Sequence, residues 1–232
     1  YVLGLLMISP ILFKMRHDSF SFRSIRLHAV RGLIHGSGVI LWFYAMAHIP
    51  IAQVTAIGFT APIFTTLGAA LFLGERLQAS RIGAVLMGFG GTLVILRPGL
   101  QEIPLGALAQ LTAAPLFAAS YLIAKKLTNT ESSSSIVAFL SIFVTIVLLP
   151  PALVVWRTPT LEELFWLAAT ALCATLGHYT MTRAMQAAPI TVTQPFSFLQ
   201  LVWATLLGLW AFGEEPDFWS WVGAGIIVGS AT

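Results

Sequence analysis

The longest uncharged stretch of the chain runs from Gly32 to Gly74 and contains no Asp, Glu, Lys or Arg over 43 residues. A helix needs about 20 apolar residues, within a range of about 17–25, to cross the hydrocarbon core of a bilayer. The stretch must therefore hold two spans. Ile49-Pro50 is the natural boundary between them, because proline is tolerated in the first turn of a helix.

The composition excludes several other classes of protein. Of the 232 residues, 57% are hydrophobic and only 9% are charged, whereas an ordinary soluble domain is about 25% charged. This excludes a soluble globule and a disordered chain, and the single cysteine, Cys173, excludes a disulfide scaffold. The net charge of +3 would suit a nucleic-acid partner only if it formed a basic face. The cationic segment 14–31 is typical of a loop that faces anionic lipid headgroups, so we expect no nucleic-acid partner.

The uncharged runs along the sequence, divided by the length that a membrane helix needs, predict nine spans and an all-α polytopic membrane protein. They are roughly 1–13, 31–48, 50–74, 80–97, 104–124, 135–156, 163–187, 189–212 and 217–232. The first and last are incomplete, and we expect a further span before residue 1.

The cations predict the orientation of these spans. Ten lie in loops on one side, and only Arg97 and Arg157 lie on the other. Because cytoplasmic loops are rich in Lys and Arg, the larger set is predicted to be cytoplasmic. It consists of Lys14, Arg16, Arg23, Arg26, Arg31, Arg76, Arg81, Lys125, Lys126 and Arg183.

A weak internal repeat appears at an offset of 139 residues. Ala45-Met46 and Pro50-Ile51 return as Ala184-Met185 and Pro189-Ile190, and Gly74-Glu75 returns as Gly213-Glu214. The two copies are five spans apart, an odd number, so the second is inverted across the membrane. Inverted repeats are typical of secondary transporters, whose halves expose a midplane site alternately.

The motifs of the first copy resemble the EamA-type family of the drug/metabolite transporter superfamily. They are Phe43-Tyr44-Ala45-Met46-Ala47-His48-Ile49-Pro50-Ile51-Ala52, Phe59-Thr60-Ala61-Pro62-Ile63-Phe64, Leu71-Phe72-Leu73-Gly74-Glu75-Arg76 and Leu96-Arg97-Pro98-Gly99, with Gly213-Glu214 in the second half. The resemblance implies ten helices in an inverted repeat of two five-helix bundles, of which about nine helices are present here. Residues 1–100 would form the first repeat without its first helix. Residues 101–232 would form the second, with its last helix trimmed.

The function that this resemblance implies is secondary transport of small organic metabolites by alternating access across the cytoplasmic (inner) membrane. Amino acids, vitamins and nucleotide-like compounds are the substrate classes of such proteins. We expect no cofactor, no metal ion and no enzymatic activity. A non-transporting scaffold or receptor, and an intramembrane enzyme, are the alternatives.

Polar and aromatic side chains inside the spans are the candidate substrate contacts, because an unpaired polar group is costly to bury in lipid. Helix–helix hydrogen bonding and packing are the competing roles for each of them. The candidates are His35, Trp42, Gln53, Phe59, Thr60, Gln110, Tyr121, Thr175, His178, Gln194, Ser197 and Gln200. The cores of the spans contain no Asp or Glu, which favours facilitated diffusion or exchange over coupling through a membrane carboxylate.

Three prolines inside spans, Pro62, Pro115 and Pro195, are predicted to form hinges or kinks. Gly225 and Gly229 form a GxxxG pattern in the last span, and Ala84 and Gly88 form its small-xxx-small analogue. Both patterns favour close helix packing, either within one chain or across a homodimer.

Overall fold

The computed structural model of the chain describes residues 1–14, 22–49, 51–96, 104–212 and 218–230, and the regular structure in these ranges is helical. Some side chains inside helices lie outside this description, Gln53 among them. The landmarks Arg97-Pro98-Gly99 and Gly213-Glu214, and Pro50, also lie outside the described residues. The helices are α1 Val2–Lys14, α2 Phe22–His48, α3 Ile51–Gly58, α4 Ala61–Leu73, α5 Ala79–Leu96, α6 Leu105–Leu127, α7 Ser133–Val154, α8 Leu161–Ala187, α9 Ile190–Thr193, α10 Leu199–Phe212 and α11 Phe218–Ser230.

The nine predicted spans all correspond to helical segments among the described residues, which confirms the prediction of an all-α multi-pass membrane protein. Among the described residues, the helices long and apolar enough to cross a membrane on their own are α6, α7 and α8. Helices α4, α5 and α11 are apolar but shorter. Within the described ranges, two of the nine spans are divided and the others are continuous helices.

Helix α2 begins at Phe22, nine residues before the predicted start of its span at residue 31. The prediction that Arg31 belongs to a cytoplasmic loop is therefore wrong, because Arg31 lies inside the helix and is only 2% exposed. Because the predicted span starts at the cation Arg31, the predicted helix begins too late in the sequence. An arginine can remain inside a helix bundle when its guanidinium finds hydrogen-bond acceptors there.

The two divided spans are 50–74 and 189–212. In the first, α3 ends at Gly58 and α4 begins at Ala61, with Pro62 in its first turn. In the second, a 3₁₀ turn over Pro195–Phe198 separates α9 from α10. Helix α6, by contrast, is continuous through Pro115.

The first of two compact units contains residues 1–40 and 119–188, and thus α1, α7, α8, the first part of α2 and the end of α6. Ile8, Val137 and Ala138 form a buried hydrophobic cluster in this unit. Helices α2 and α7 approach closely at Gly36, where a Cβ atom would lie 2.7 Å from Cγ1 of Val147. The glycine allows these two helices to pack without a side chain between them.

The second compact unit contains residues 41–118 and 189–232. Its core includes Phe59, Val85, Phe198, Leu201 and Ile227. Helices α5 and α11 cross at two glycines, and a Cβ atom on Gly223 would lie 2.6 Å from the carbonyl oxygen of Gly91.

Candidate functional site

A hydrogen-bonded polar network lies inside the first unit and is centred on Arg31 of α2. Its Nε donates to Oγ of Ser120 on α6 at 3.3 Å, and its Nη1 donates to the backbone oxygen of Ile136 on α7 at 3.0 Å. Arg31 and Ser120 are both buried. The guanidinium thus joins three helices through neutral partners.

His35 extends this network, one helical turn after Arg31. Its Nδ1 is hydrogen-bonded to Oγ of Ser120 at 3.1 Å, and its Nε2 to the hydroxyl of Tyr1 at 3.1 Å. The ring of His178, on α8, meets that of His35 edge to face with the centroids 5.5 Å apart. Two predicted site residues, His35 and His178, are therefore neighbours: His35 belongs to the polar network, and the His178 ring packs against it.

Two further predicted residues belong to the first unit. Tyr121 follows Ser120 on α6 and is half-buried. Thr175 lies on α8 where α1 passes closely, since a Cβ atom on Gly4 would lie 2.7 Å from the hydroxyl of Thr175. Tyr121 is close enough to Arg31 for the two side chains to interact electrostatically.

A second polar cluster fastens one end of the first unit. Glu131, in the turn between α6 and α7, is hydrogen-bonded through its carboxylate to Ser24 and to Nε2 of His28, the latter at 2.7 Å. Gln186, at the end of α8, donates to the backbone oxygen of Glu131 at 3.0 Å and accepts from Ser133 at 2.8 Å. This end of the unit is therefore held by side chains from α2, α7 and α8.

Lys125 binds the carboxyl end of α8. Its ammonium donates to the backbone oxygens of Met185 at 2.5 Å and Ala188 at 2.7 Å. Carbonyls at the end of a helix lack partners within the helix and carry partial negative charge. A lysine at this position satisfies them and complements the helix dipole.

At the other end of α8, an open surface cavity of about 520 Å³ includes Trp156, Trp166, Arg157 and Glu163 in its lining. Arg157 donates to Glu163 at 2.5 Å, and both side chains are well exposed. The Glu163 carboxylate raises the pKa of the Arg157 guanidinium, chiefly through this hydrogen bond. Exposed tryptophans near a helix end are typical of the membrane–water interface.

In the second unit, Gln110 is the most deeply buried of the predicted glutamines that the structure describes. It is 2% exposed, and its Oε1 has no hydrogen-bond partner among the described residues. Its amide nitrogen lies beside Gly58, where α3 ends, 3.0 Å from the position of a Cβ atom. The absence of a side chain on Gly58 leaves room for this amide.

The other candidates of the second unit lie in different surroundings. Phe59 is stacked on Phe198 in the core, with the ring centroids 5.3 Å apart. Trp42 is 37% exposed, and Gln194 is buried. The remaining candidates are Thr60, which donates to the oxygen of Ile57; Ser197, which donates to the oxygen of Gln194; and Gln200, which is exposed.

Glu75 of the second unit binds the amino end of α9. Its carboxylate accepts from the backbone nitrogens of Ile190 at 2.8 Å and Thr191 at 3.0 Å, and from the Thr191 hydroxyl at 2.7 Å. Arg81 donates to the same hydroxyl oxygen at 2.8 Å. The motif glutamate therefore caps the first, short part of a divided span, where the helix dipole favours negative charge.

The buried polar residues of these networks include Arg31, Ser120 and His28, which are not among the candidates predicted from the sequence. Arg31 and His28 fall in the cationic segment 14–31, whose charge predicts a loop. The spacing of Arg31 and His35, four residues apart on one helix face, could have placed both in the same network.

Comparison with known proteins identifies the family. The model of the EamA-like transporter family matches residues 1–97 and 104–232. The chain belongs to this family. It is 30% identical over 241 residues to the riboflavin transporter of Brucella anthropi, with all of this chain and 84% of that protein covered.

Other relatives of this chain are named as transporters of two different substrates. The riboflavin transporter of Rhizobium johnstonii is 35% identical over 205 residues, covering 88% of this chain and 68% of that protein. The S-adenosylmethionine uptake transporter of Rickettsia bellii is 31% identical over 202 residues, covering 87% and 69%. The chain is accordingly a multi-pass membrane protein and a secondary transporter of small organic metabolites.

One solved structure, described as a crystal structure of a protein, has the same fold as this EamA-like chain. The TM-score is 0.82 at 20% identity, and the match covers 99% of this chain and 80% of that one.

Proposed function

We propose that this EamA-like protein carries a metabolite with a planar nitrogen heterocycle, of the flavin or adenosine kind, across the cytoplasmic membrane by alternating access. The names of the relatives support this substrate class, since riboflavin and S-adenosylmethionine both contain such a ring. The observation that carries the proposal is the network of Arg31, His35 and Ser120 inside the helices. A buried polar network in a membrane bundle is expensive and typically marks a substrate or ion pathway.

Alternating access is proposed to arise from two inverted repeats, residues 1–100 and 101–232, which expose the site first to one side of the membrane and then to the other. The offset of 139 residues between Pro50-Ile51 and Pro189-Ile190 supports this division. The two family matches, over residues 1–97 and 104–232, support it as well. The helix breaks near Pro62 and Pro195 are proposed as hinges. A break in a membrane helix leaves backbone groups unpaired, and these are tolerated only where they meet protein or line a water-filled cavity. Pro115 is proposed as a kink in α6.

The proposed substrate contacts fall into two sets, one in each compact unit. Hydrogen bonds to ring nitrogens and carbonyls require donors and acceptors that point away from lipid, and aromatic side chains stack on planar rings. The first set is His35, Tyr121, Thr175 and His178, and the second is Trp42, Gln53, Phe59, Thr60, Gln110, Gln194, Ser197 and Gln200.

Gln110 offers a sharp test of these contacts. Its buried Oε1 lacks a partner among the described residues, so replacing the side chain by an apolar one of similar size should not lower stability. We expect Gln110→Leu to unfold at the same temperature as the wild type or higher, and to raise the KM for transport at least about fivefold. Gln186→Leu is the matched control, since it loses two hydrogen bonds and should lower the unfolding temperature.

Unchanged transport by Gln110→Leu would remove Gln110 from the proposed site. A loss of stability by Gln110→Leu as large as that of Gln186→Leu would show that its amide has a structural role.

Thermal stabilisation by ligands tests the substrate class. The purified protein in detergent is heated with riboflavin, S-adenosylmethionine, adenosine, or a set of amino acids and sugars without a heterocycle. A ligand that binds only the folded state raises the unfolding temperature in proportion to ln(1 + [L]/Kd). We expect a shift with at least one heterocycle and none with the sugars. Stabilisation by simple amino acids or sugars alone would contradict the proposed class.

The bilayer is a proposed partner, and so is a second copy of the chain. A Cβ atom on Gly225 of α11 would meet no atom of the described residues within 4 Å. This face of α11 therefore has room for lipid or for a partner helix. We expect Gly225→Leu to leave the monomer folded and to abolish any dimer seen by light scattering in detergent.

A further inference from the structure

The guanidinium of Arg31 lacks a counter-charge among the described residues. Its hydrogen-bond partners are the hydroxyl of Ser120 and the backbone oxygen of Ile136. A guanidinium has five N–H donors, and these two bonds occupy only two of its donors. Breaking or omitting the partner of a buried charge is strongly destabilising. A buried cation that keeps only neutral partners is therefore an unusual arrangement for a structural residue.

The neighbouring side chains do not neutralise Arg31. Among the described residues, the hydroxyls of Tyr121 and Tyr1 interact electrostatically with Arg31, and they carry no charge near neutral pH. The carboxylate of Glu131, in the same unit, is engaged by Ser24 and His28. His35 and His178 add imidazole rings, not negative charge.

We propose that Arg31 binds an anionic oxygen group, a carboxylate or a phosphate, of the transported metabolite. This inference rests on the proposed function, and it adds the charge of the substrate to the ring system. A planar guanidinium binds carboxylate and phosphate oxygens through two parallel N–H bonds, a geometry that an ammonium cannot reproduce. The anion supplies the counter-charge that the described residues around Arg31 do not provide.

Ser120 is a positioning residue in this scheme, and His35, itself a proposed substrate contact, helps to hold it. The Ser120 hydroxyl accepts from Nε of Arg31 and is also hydrogen-bonded to Nδ1 of His35, whose Nε2 is held by Tyr1. The chain of contacts fixes the plane of the guanidinium relative to α2 and α6. Arg31 is 2% exposed in this structure, so the anion reaches it in another conformation of the transport cycle, as alternating access requires.

Matched pairs of ligands test the inference. S-adenosylmethionine is compared with its decarboxylated form, and riboflavin 5′-phosphate with riboflavin, by equilibrium binding to the intact protein in detergent. We expect the wild type to bind the acid-bearing member of at least one pair tenfold more tightly or better. The carboxylate pair and the phosphate pair distinguish the two sources of the anion.

Substitutions of Arg31 test whether this residue causes the preference for the acid-bearing ligand. Arg31→Gln is expected to bind both members of the pair with similar affinity, and Arg31→Lys to keep only a severalfold preference. Arg81→Gln is the matched control, because Arg81 donates to Thr191 in the second unit and should leave the preference at its wild-type value. If Arg31→Gln does not fold, the reduced preference of Arg31→Lys is the deciding result.

A tenfold preference that survives in folded Arg31→Gln, or at full strength in Arg31→Lys, would overturn the inference. So would a wild type that binds the neutral member of both pairs as well as the acidic one; the proposed function would then still stand. A wild type that binds none of the four compounds contradicts the proposed function itself, and the inference falls with it.

Discussion

Several charged side chains of the described residues lie at the ends of helices, whereas Arg31 is buried in the interior of α2. Lys125 lies at the carboxyl end of α8, and Glu75 at the amino end of α9. In the sequence, these two helix ends lie on either side of Pro189. The cation complements the partial negative charge at the end of α8, and the anion complements the partial positive charge at the start of α9.

The cap formed by Glu75 leads to a prediction about stability. Glu75→Gln removes the charge from three hydrogen bonds to Ile190 and Thr191. Hydrogen bonds to charged groups contribute about 1.5–3 kcal/mol each at most, and a glutamine can replace part of that. We expect the free energy of unfolding to fall by about 1–3 kcal/mol, measured by chemical denaturation in detergent.

Glu162→Gln is the control for that measurement, because Glu162 is an exposed residue of the first turn of α8. A surface substitution of this kind changes stability by about 0.5 kcal/mol or less. Equal losses in the two variants would show that the contacts of Glu75 do not stabilise α9.

Part of the candidate site could be predicted from single residues. Polar residues inside apolar spans are few, so His35 and His178 stand out in the sequence, and the structure places their rings 5.5 Å apart. Arg31 could not be found in the same way. A cation is the usual marker of a loop, and only the acceptors on Ser120 and Ile136, far away in sequence, allow it to stay in the helix.

At the scale of elements, the charge pattern predicts where most helices lie but not where they break. The span 50–74 contains no charged residue, yet α3 ends at Gly58 and α4 begins at Ala61. Pro62 indicates a disturbance there, as Pro195 does in the other divided span, whereas α6 continues through Pro115. A proline alone does not decide between a break and a continuous helix, because its surroundings determine whether the freed carbonyl is satisfied.

Helix packing between α5 and α11 depends on glycine at the crossing. A Cβ atom on Gly223 would lie 2.6 Å from the backbone oxygen of Gly91, while one on Gly225 would meet none of the described residues within 4 Å. We expect Gly223→Ala to lower the free energy of unfolding by about 1–3 kcal/mol through overpacking. Gly225→Ala, two residues along the same helix, should be neutral or slightly stabilising because alanine favours helix formation.

Thermal unfolding of the two variants side by side measures the difference. A Gly223→Ala protein as stable as Gly225→Ala would show that α5 and α11 do not cross at this glycine.

At the scale of the whole molecule, each spanning helix must carry the chain from one side of the membrane to the other. Helix α7, with 22 residues, is long enough to do so. Its flanking turns contain the exposed residues Asn129 and Thr158. The excess of cations near Lys125 and Lys126 predicts that the turn with Asn129 faces the cytoplasm.

Cysteine labelling tests this topology. Cys173 is the one cysteine of the chain, so Cys173→Ser provides a background for Asn129→Cys and Thr158→Cys. We expect a membrane-impermeant maleimide to label the cysteine at 158 in intact cells, and the cysteine at 129 only after the membrane is opened. Labelling of both from outside would contradict a single crossing by α7.

Secondary transport of a small metabolite is the central claim, and counterflow tests it most directly. Liposomes containing the protein are loaded with unlabelled riboflavin or S-adenosylmethionine and diluted into a trace of the same compound in labelled form. A carrier that works by alternating access exchanges internal for external substrate, so the label should accumulate transiently above its equilibrium level with at least one compound. Label that enters no faster than into protein-free liposomes, with either compound and with every heterocycle that stabilises the protein, would contradict the account.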